Sequence, residues 1–236
     1  MPNLIVAIET STECCSAALL RDGAVLERSE LAPRRHTALI LPMIESLLGE
    51  AGVSRRQLDA VAVGRGPGAF TGVRLAISVA QGLALGLDIP VIPISSLAAL
   101  AQDAPPGDAS ILAVIDARMG EIYAGAFRRK SDGLVESLGA ESVGPASMLV
   151  LSDAAKYTNG QWCVVGSGWT AYRDALTARL PHAPAWADGA RYPQASAVAQ
   201  LAAPQFADGR GVAPEYALPV YLRDKVALTL DEQRAR

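Results

Sequence analysis

Lysine, histidine and cysteine are scarce in this chain of 236 residues, and each scarcity excludes a class of chemistry. The three lysines, Lys130, Lys156 and Lys225, stand outside any glycine-rich loop, so a Walker loop lacks its phosphate-gripping residue. His36 and His182 have no second histidine at ligand spacing, which removes the usual zinc-binding helices. Of the cysteines, Cys14 and Cys15 are adjacent and Cys163 is remote. They fit neither a disulfide framework nor a metal knuckle and read as buried thiols of a cytosolic protein. No G-x-S-x-G, H-E-x-x-H or C-x-x-C occurs, so ordinary hydrolase and zinc chemistries lack their parts. No uninterrupted apolar run reaches the ~18 residues of a spanning helix. The start, Met1-Pro2-Asn3-Leu4, has no charged n-region, so the expectation is a cytoplasmic protein without a membrane partner. Charge is modest as well: 21 basic against 24 acidic residues give a net charge of −3. That balance offers no basic footprint for binding nucleic acid alone.

What the chain does have is a large apolar content, 50% of its residues, in an alternating strand and helix pattern. This predicts an α/β protein with a real core, of one large or two small domains. Asn3 to Glu9 reads as an aliphatic strand ending in an acid. Strands at 15–20 and 24–29 follow, joined by the turn residues Asp22 and Gly23. Leu39, Ile40, Met43, Ile44, Leu47 and Leu48 recur at helical spacing, in a helix that Pro42 should kink and that Gly49 and Gly52 end. A buried strand at 60–64 leads to a second long helix over 71–87, closed by Gly86. Strand 91–94 precedes a helix capped by Ser95. Asp103-Ala-Pro-Pro-Gly-Asp108 breaks the composition. Beyond it lie strands at 111–116, 121–127 and 163–165, and helices from Gly168 to about Arg179 and from Ser196 to Ala203.

Two segments share one plan. LIVAIETSTECCSAALL (4–20) and ILAVIDARMGEIYAGAF (111–127) both run as aliphatic strand, terminal carboxylate, polar loop and second strand. The match predicts two related lobes facing each other across a cleft. Glu9 and Asp116, at matching strand ends, are candidates for holding a magnesium-bound phosphate through water. The loop VGRGPGAFTGVRLA (63–76) carries Gly64, Gly66, Gly68 and Gly72 between a strand and a helix N-terminus. An anion could sit there, but the spacing fits better a tight turn that seats the helix closely on the sheet. Small residues follow in rows, Gly72, Ala76 and Ala80 in one and Gly82 and Gly86 in another. Each helical glycine costs about 1 kcal/mol against alanine, which predicts a compensating close contact, either with the sheet or with another chain.

The segments IVAIETSTECCSAAL (5–19), RRHTALILPMIESLL (34–48), GRGPGAFTGVRLAISVAQGLA (64–84), VIDARMGEIYAGAF (114–127), VVGSGW (164–169) and PVYLRDKVA (219–227) together resemble the TsaB family, also called YeaZ. The resemblance spans nearly the whole chain in order. It implies an actin-like, Hsp70-like (ASKHA) fold of two lobes, 1–103 and 109–204, with part of the tail at about 205–228 joining the first. It also implies a non-catalytic role beside TsaD, which transfers threonylcarbamoyl to the adenosine beside the tRNA anticodon, and beside the ATPase TsaE. TsaD carries its metal on H-x-x-x-H; here the stretch is His36-Thr37-Ala38-Leu39-Ile40, so Ile40 stands in the second histidine's place. No catalytic residue and no metal ligand is carried over, and the older glycoprotease label finds no nucleophile. In the family the helices matching 37–50 and 71–87 form the dimer interface, with TsaD or with a second copy when alone. This nominates Leu39, Met43, Leu47, Gly72, Ala76 and Ala80. For a nucleotide cleft the candidates are Glu9, Thr10, Ser11, Asp116, Arg118, Gly166 and Gly168. No cofactor is required, and weakly held ATP or ADP with magnesium is the most expected. Contact with tRNA is expected only through the complex. The competing reading is an ATP-binding or ATP-hydrolysing actin-like enzyme acting on its own.

Overall fold

The computed structural model describes residues 3–151 and 160–223. Lys156, Lys225 and the tail over 224–228, with the end of the 219–227 motif, lie outside the described residues.

The first lobe is built on a five-stranded sheet. β1 (Leu4–Glu9), β2 (Cys14–Arg21) and β3 (Ala24–Leu31) form an antiparallel meander, and β4 (Ala60–Gly64) and β5 (Val91–Ile94) continue it in parallel beyond β1. The spatial order is β3-β2-β1-β4-β5. β1 and β4 are buried at every position, as strands covered on both faces must be. The second sheet is built on β6 (Ser110–Arg118), β7 (Glu121–Arg129), β8 (Val135–Ser137), β9 (Ser142–Pro145), β10 (Trp162–Val165) and β11 (Trp186–Asp188). Its order, β8-β7-β6-β10-β11, repeats the first with the same parallel and antiparallel pairings, and β9 adds to the free edge of β7. The repeat read from segments 4–20 and 111–127 is therefore a repeat of whole lobes. β8, β9 and β11, each of three or four residues, are too short to show a periodicity and carried no sequence signal.

Among the described residues, five α-helices complete five layers. α1 (His36–Ala51) and α2 (Phe70–Leu87) cover the outer face of the first sheet, burying Ile40, Ile44, Leu47 and Leu48 from one and Val73, Ala76, Ile77, Ala80 and Ala84 from the other. α4 (Ser167–Thr177) covers the outer face of the second sheet. Between the sheets lie α3 (Ser96–Gln102) and α5 (Ala195–Ala207), and here the expected boundaries need correcting. α3 follows the first lobe in sequence yet packs on β6, β7 and β8, whereas α5 follows the second and packs on β1, β2 and β4. The helix placed at 196–203 thus belongs to the first lobe's sheet. Each lobe lends its last helix to the other, so the two halves share one continuous core. Beyond α5 the tail returns to the first lobe: Val212 bridges Val91, and Ala217 is fully buried against α2.

Helix ends differ from expectation in two places. α1 runs through both Pro42 and Gly49 and stops at Gly52, whose φ of 63° closes it. α2 is closed by Asp88 in the left-handed region (φ 56°), not by Gly86. α2 is also apolar enough along its length to cross a membrane by composition, but its inner face is spent on the sheet.

Candidate functional site

The cleft between the lobes holds a cavity of about 570 Å³. One wall is the loop 10–13 after β1, with the starts of α1 and α2; the other is the end of β6 with the tail at 220–223. The glycine loop shapes this wall by close approach. A Cβ on Gly68 would stand 2.4 Å from the Ser11 carbonyl oxygen, and one on Gly72 would stand 2.0 Å from that of Thr10. The Ala69 amide donates to the Ser11 carbonyl at 2.7 Å, and the Thr10 hydroxyl donates to the Gly72 carbonyl at 2.7 Å. The loop is a seat for the β1–β2 turn, the tight packing device that its spacing favoured.

Glu9 lies outside the cavity. Its side chain is completely buried; Oε1 accepts from the Ser11 amide at 2.6 Å and Oε2 from the Ser96 hydroxyl at 2.8 Å. Ser96 in turn accepts from the Gly66 amide at 3.2 Å. Burial pushes the Glu9 carboxyl above the usual carboxylate range, and these hydrogen bonds oppose the shift only in part. Gly64 packs directly on this carboxylate, where any Cβ would clash at 1.9 Å. The expectation that Glu9 reaches a bound phosphate is therefore corrected: the carboxylate pins β1, the glycine loop and α3 together.

Asp116 does face the cleft. Its carboxylate accepts from the Arg118 amide and guanidinium, both at 2.8 Å, and from the Tyr172 hydroxyl at 3.2 Å. Arg118 also bridges to Glu13 of the first lobe at 2.6 Å. Burial, and secondarily the Asp116 carboxylate, raise the Tyr172 phenol above its ordinary value. The turn that presents Arg118 is strained, for Arg118 and Met119 both take positive φ (62° and 57°) before Gly120. Thr10 and Ser11 line the cavity as expected, but Gly166 and Gly168 do not. They press α4 onto β6, a Cβ on Gly166 standing 2.3 Å from the Val114 carbonyl oxygen.

Other lining residues gave no motif. Arg34, His36, Phe70, Thr71, Tyr221 and Arg223 converge from three separate segments. The His36 ring bonds the Thr12 carbonyl at 2.9 Å. Tyr221 stacks on Phe70 with ring centroids 5.6 Å apart, and Arg74 lies 3.9 Å over the Phe70 ring while donating to the Tyr221 hydroxyl at 2.7 Å. Arg223 reaches across to the Ala117 carbonyl at 3.1 Å and to the Glu121 carboxylate, so the tail ties one lobe to the other. In the sequence these residues sit inside RRHTA, GAFTGVR and VYLRD, three of the segments that carry the family resemblance, and nothing in their spacing brings them to one cleft. Cys14, Cys15 and Cys163 are buried thiols, and burial pushes Cys15 up to about 11, far from a reactive thiolate.

The nominated interface residues divide. Leu47, Ala76 and Ala80 are fully buried in the chain's own core, and Gly72 is committed to Thr10. Leu39 and Met43 are partly open, as is Gly72 despite its contact with Thr10. The correction follows from helix geometry: in α2 the sheet-facing set is 73, 76, 77, 80 and 84. The outward row is Arg74, Ser78, Gly82 and Gly86, flanked by Phe70 (50% exposed) and Leu85 (74% exposed). Neither Gly82 nor Gly86 has any atom within 4 Å of where a Cβ would stand. On α1 the outward apolar residue is Leu41, 48% exposed.

Two lobes of one strand order, exchanging helices across a cleft, define a two-lobe protein of the actin-like, ASKHA class. The family model for TsaD, tRNA N6-adenosine threonylcarbamoyltransferase, matches residues 28–229. The tRNA threonylcarbamoyladenosine biosynthesis protein TsaB of Escherichia coli K12 is 42% identical over 94% of this chain and 96% of its own. That of Haemophilus influenzae Rd is 38% identical over 96% of each. The solved structure of YeaZ from Pseudomonas aeruginosa superimposes with a TM-score of 0.85 at 43% identity, covering 93% of this chain and 100% of that one. The chain belongs to the TsaB (YeaZ) family.

Proposed function

We propose that this chain is a non-catalytic, cytoplasmic subunit of the machinery that forms threonylcarbamoyladenosine on tRNA, and that it acts by docking TsaD with TsaE as a further partner. The observation that carries this reading is the outward face of α2, where the exposed Leu85 stands beside Gly82 and Gly86, both open to a second helix. Small residues in a row let helix axes approach closely, and exposed apolar residues beside them supply the buried area. With α1 this face takes TsaD, or a second copy when the chain is alone, and tRNA is reached only through the complex. The relatives' names support the pathway, and the matching family model supports kinship with the transferase itself. The competing reading of a self-standing ATPase asks for Glu9 in the cleft, where the structure puts its carboxylate on Ser11 and Ser96. In this reading no cofactor is required.

The test is reconstitution of tRNA modification from purified components, omitting each in turn, with Gly82→Arg and Leu85→Asp as variants. Both should leave the thermal midpoint within a degree or two, since surface changes stay within about 0.5 kcal/mol, yet abolish co-elution with TsaD and product formation. Ala76→Glu is the control: a charge forced against the sheet should cost about 4 kcal/mol or more and unfold the chain. Full modification without this chain would overturn the proposal.

A further inference from the structure

Beyond α5 the tail does more than cover the first sheet, for it runs from α2 to the opposite lobe. Ala217 is fully buried against α2, and its carbonyl accepts from the Gln81 side-chain amide at 3.3 Å. The Val220 amide donates to the Arg65 carbonyl at 2.9 Å. Tyr221 then meets Phe70 and Arg74 at the start of α2, and the Arg223 guanidinium reaches the Ala117 carbonyl and the Glu121 carboxylate of the second lobe. Residues 217–223 thus follow α2 from Gln81 back to Phe70 and cross at the mouth of the cleft, where Val220, Tyr221 and Arg223 form part of the cavity wall. They belong to neither helix nor strand, so contacts with α2 and the second lobe, and no ladder of their own, fix this path.

The contacts with α2 coincide with its outward face. On a helical wheel Phe70, Arg74, Gln81 and Leu85 share a flank about 60° wide. Phe70 and Leu85 are exposed there, and Tyr216, Leu218 and Tyr221 are exposed on the tail alongside. Apolar surface gathered on two adjoining elements marks an interaction face. Arg74 stands at the join. Its guanidinium lies 3.9 Å from the Phe70 ring centroid and 5.7 Å from that of Tyr221, and its Nε donates to the Tyr221 hydroxyl at 2.7 Å. A partner seated on this face removes water from Arg74. A cation over an aromatic ring and a hydrogen bond to a hydroxyl both gain strength when solvent is excluded. Tyr221 is therefore held more firmly with a partner than without, and that difference is what a ligand-driven shift between two settings requires.

We propose that the tail is a strap that couples docking on α2 to the setting of the two lobes. A partner on the outward face of α2 clamps Tyr221 through Arg74, and the clamped tail carries Arg223 onto the β6–β7 hairpin and narrows the cleft mouth. By linkage, lobes held together at Arg223 favour docking in turn. The shared core of α3 and α5 keeps the movement small. This coupling rests on the docking role proposed above, whereas the mechanical continuity of the strap is a property of the free chain.

The experiment measures the distance between the lobes with spin labels on Arg56→Cys and Ala183→Cys, exposed sites in the first and second lobes, the native thiols being buried. In the free chain Arg74→Ala and Arg223→Ala should each broaden the distance distribution. The double variant should broaden it no further, because both changes cut one strap. Saturating TsaD should narrow the parent's distribution and shorten its mean, while each single variant, saturated in the same way, keeps its free distribution. Broadening that is absent, or that adds up in the double variant, overturns the proposal, and so does a shortening that persists in both variants. An unchanged distance while TsaD co-elutes removes the coupling and spares the docking role. Failure of the parent to co-elute with TsaD removes the docking role and the clamp together.

Discussion

The two lobes share one strand order and carry an acid at or near the end of the same central strand, yet those acids live in opposite surroundings. In the first lobe, five residues join β4 to α2, and Gly64 at the end of β4, with Gly68 in the joining loop, closes over the end of β1 until Glu9 has no access to water. In the second, Gly166 alone joins β10 to α4, and Asp116 is left at the cleft wall between Tyr172 and Arg118. The repeat fixes where a carboxylate falls; the length and composition of the loop after the fourth strand fix whether it meets ligand or core. One duplicated plan has thus yielded an internal rivet on one side and a surface ion-pair centre on the other.

The sharpest way to break this comparison is to delete each acid. Glu9→Ala leaves the Ser11 amide and the Ser96 hydroxyl buried without their acceptor, and each such orphan costs about 1–3 kcal/mol. A loss of about 3 kcal/mol in urea-denaturation stability is expected. Asp116→Ala removes a partly solvated pair and should cost about 1 kcal/mol. Equal losses would mean that the two acids do the same job.

A smaller effect separates burial from bonding. The folded pKa of Glu9 is raised, so the folded chain holds this proton more tightly than the unfolded one. Its contribution to stability is complete below the unfolded carboxylate value of about 4.3 and is lost as pH rises through the folded value. Glu9→Gln removes that slope. Stability measured against pH should therefore fall more steeply in the parent chain than in Glu9→Gln above about pH 4.3. Parallel curves would show that the carboxylate is not held in a desolvated site.

How far these features could be read in advance differs between them for physical reasons. The strands of the central sheets were legible because strands buried on both faces are continuous aliphatic runs, as 4–9, 60–64 and 111–116 are. The glycine loop was legible as a packing device, since four glycines in nine residues serve close approach. The direction of Glu9 was not, because a strand end is equally compatible with cleft and core until Ser96, 87 residues away, is placed against it. The row Gly72, Ala76 and Ala80 misled because small residues pack equally well on a sheet or on a partner. The hydrophobic pattern at 73, 77 and 84 shows which of these holds. The exchange of α3 and α5 is a property of topology alone and leaves no mark in either helix.

The smallest expected effect tests the link between the lobes. Arg118 joins Asp116 to Glu13 across the cleft, but its side chain is 70% exposed, so solvent screens both pairs and their sum should stay within about 1 kcal/mol. Its backbone is left-handed, a geometry that glycine adopts without penalty. Arg118→Ala therefore loses the pairs and keeps the strain, whereas Arg118→Gly loses the pairs and sheds it. Thermal unfolding should place Arg118→Ala about 1 kcal/mol below the parent and Arg118→Gly close to it, the relief offsetting the lost ion pairs. If both variants fall by several kcal/mol, the bridge is holding the lobes together. The shared core of α3 and α5 would then be a weaker tie than its burial indicates.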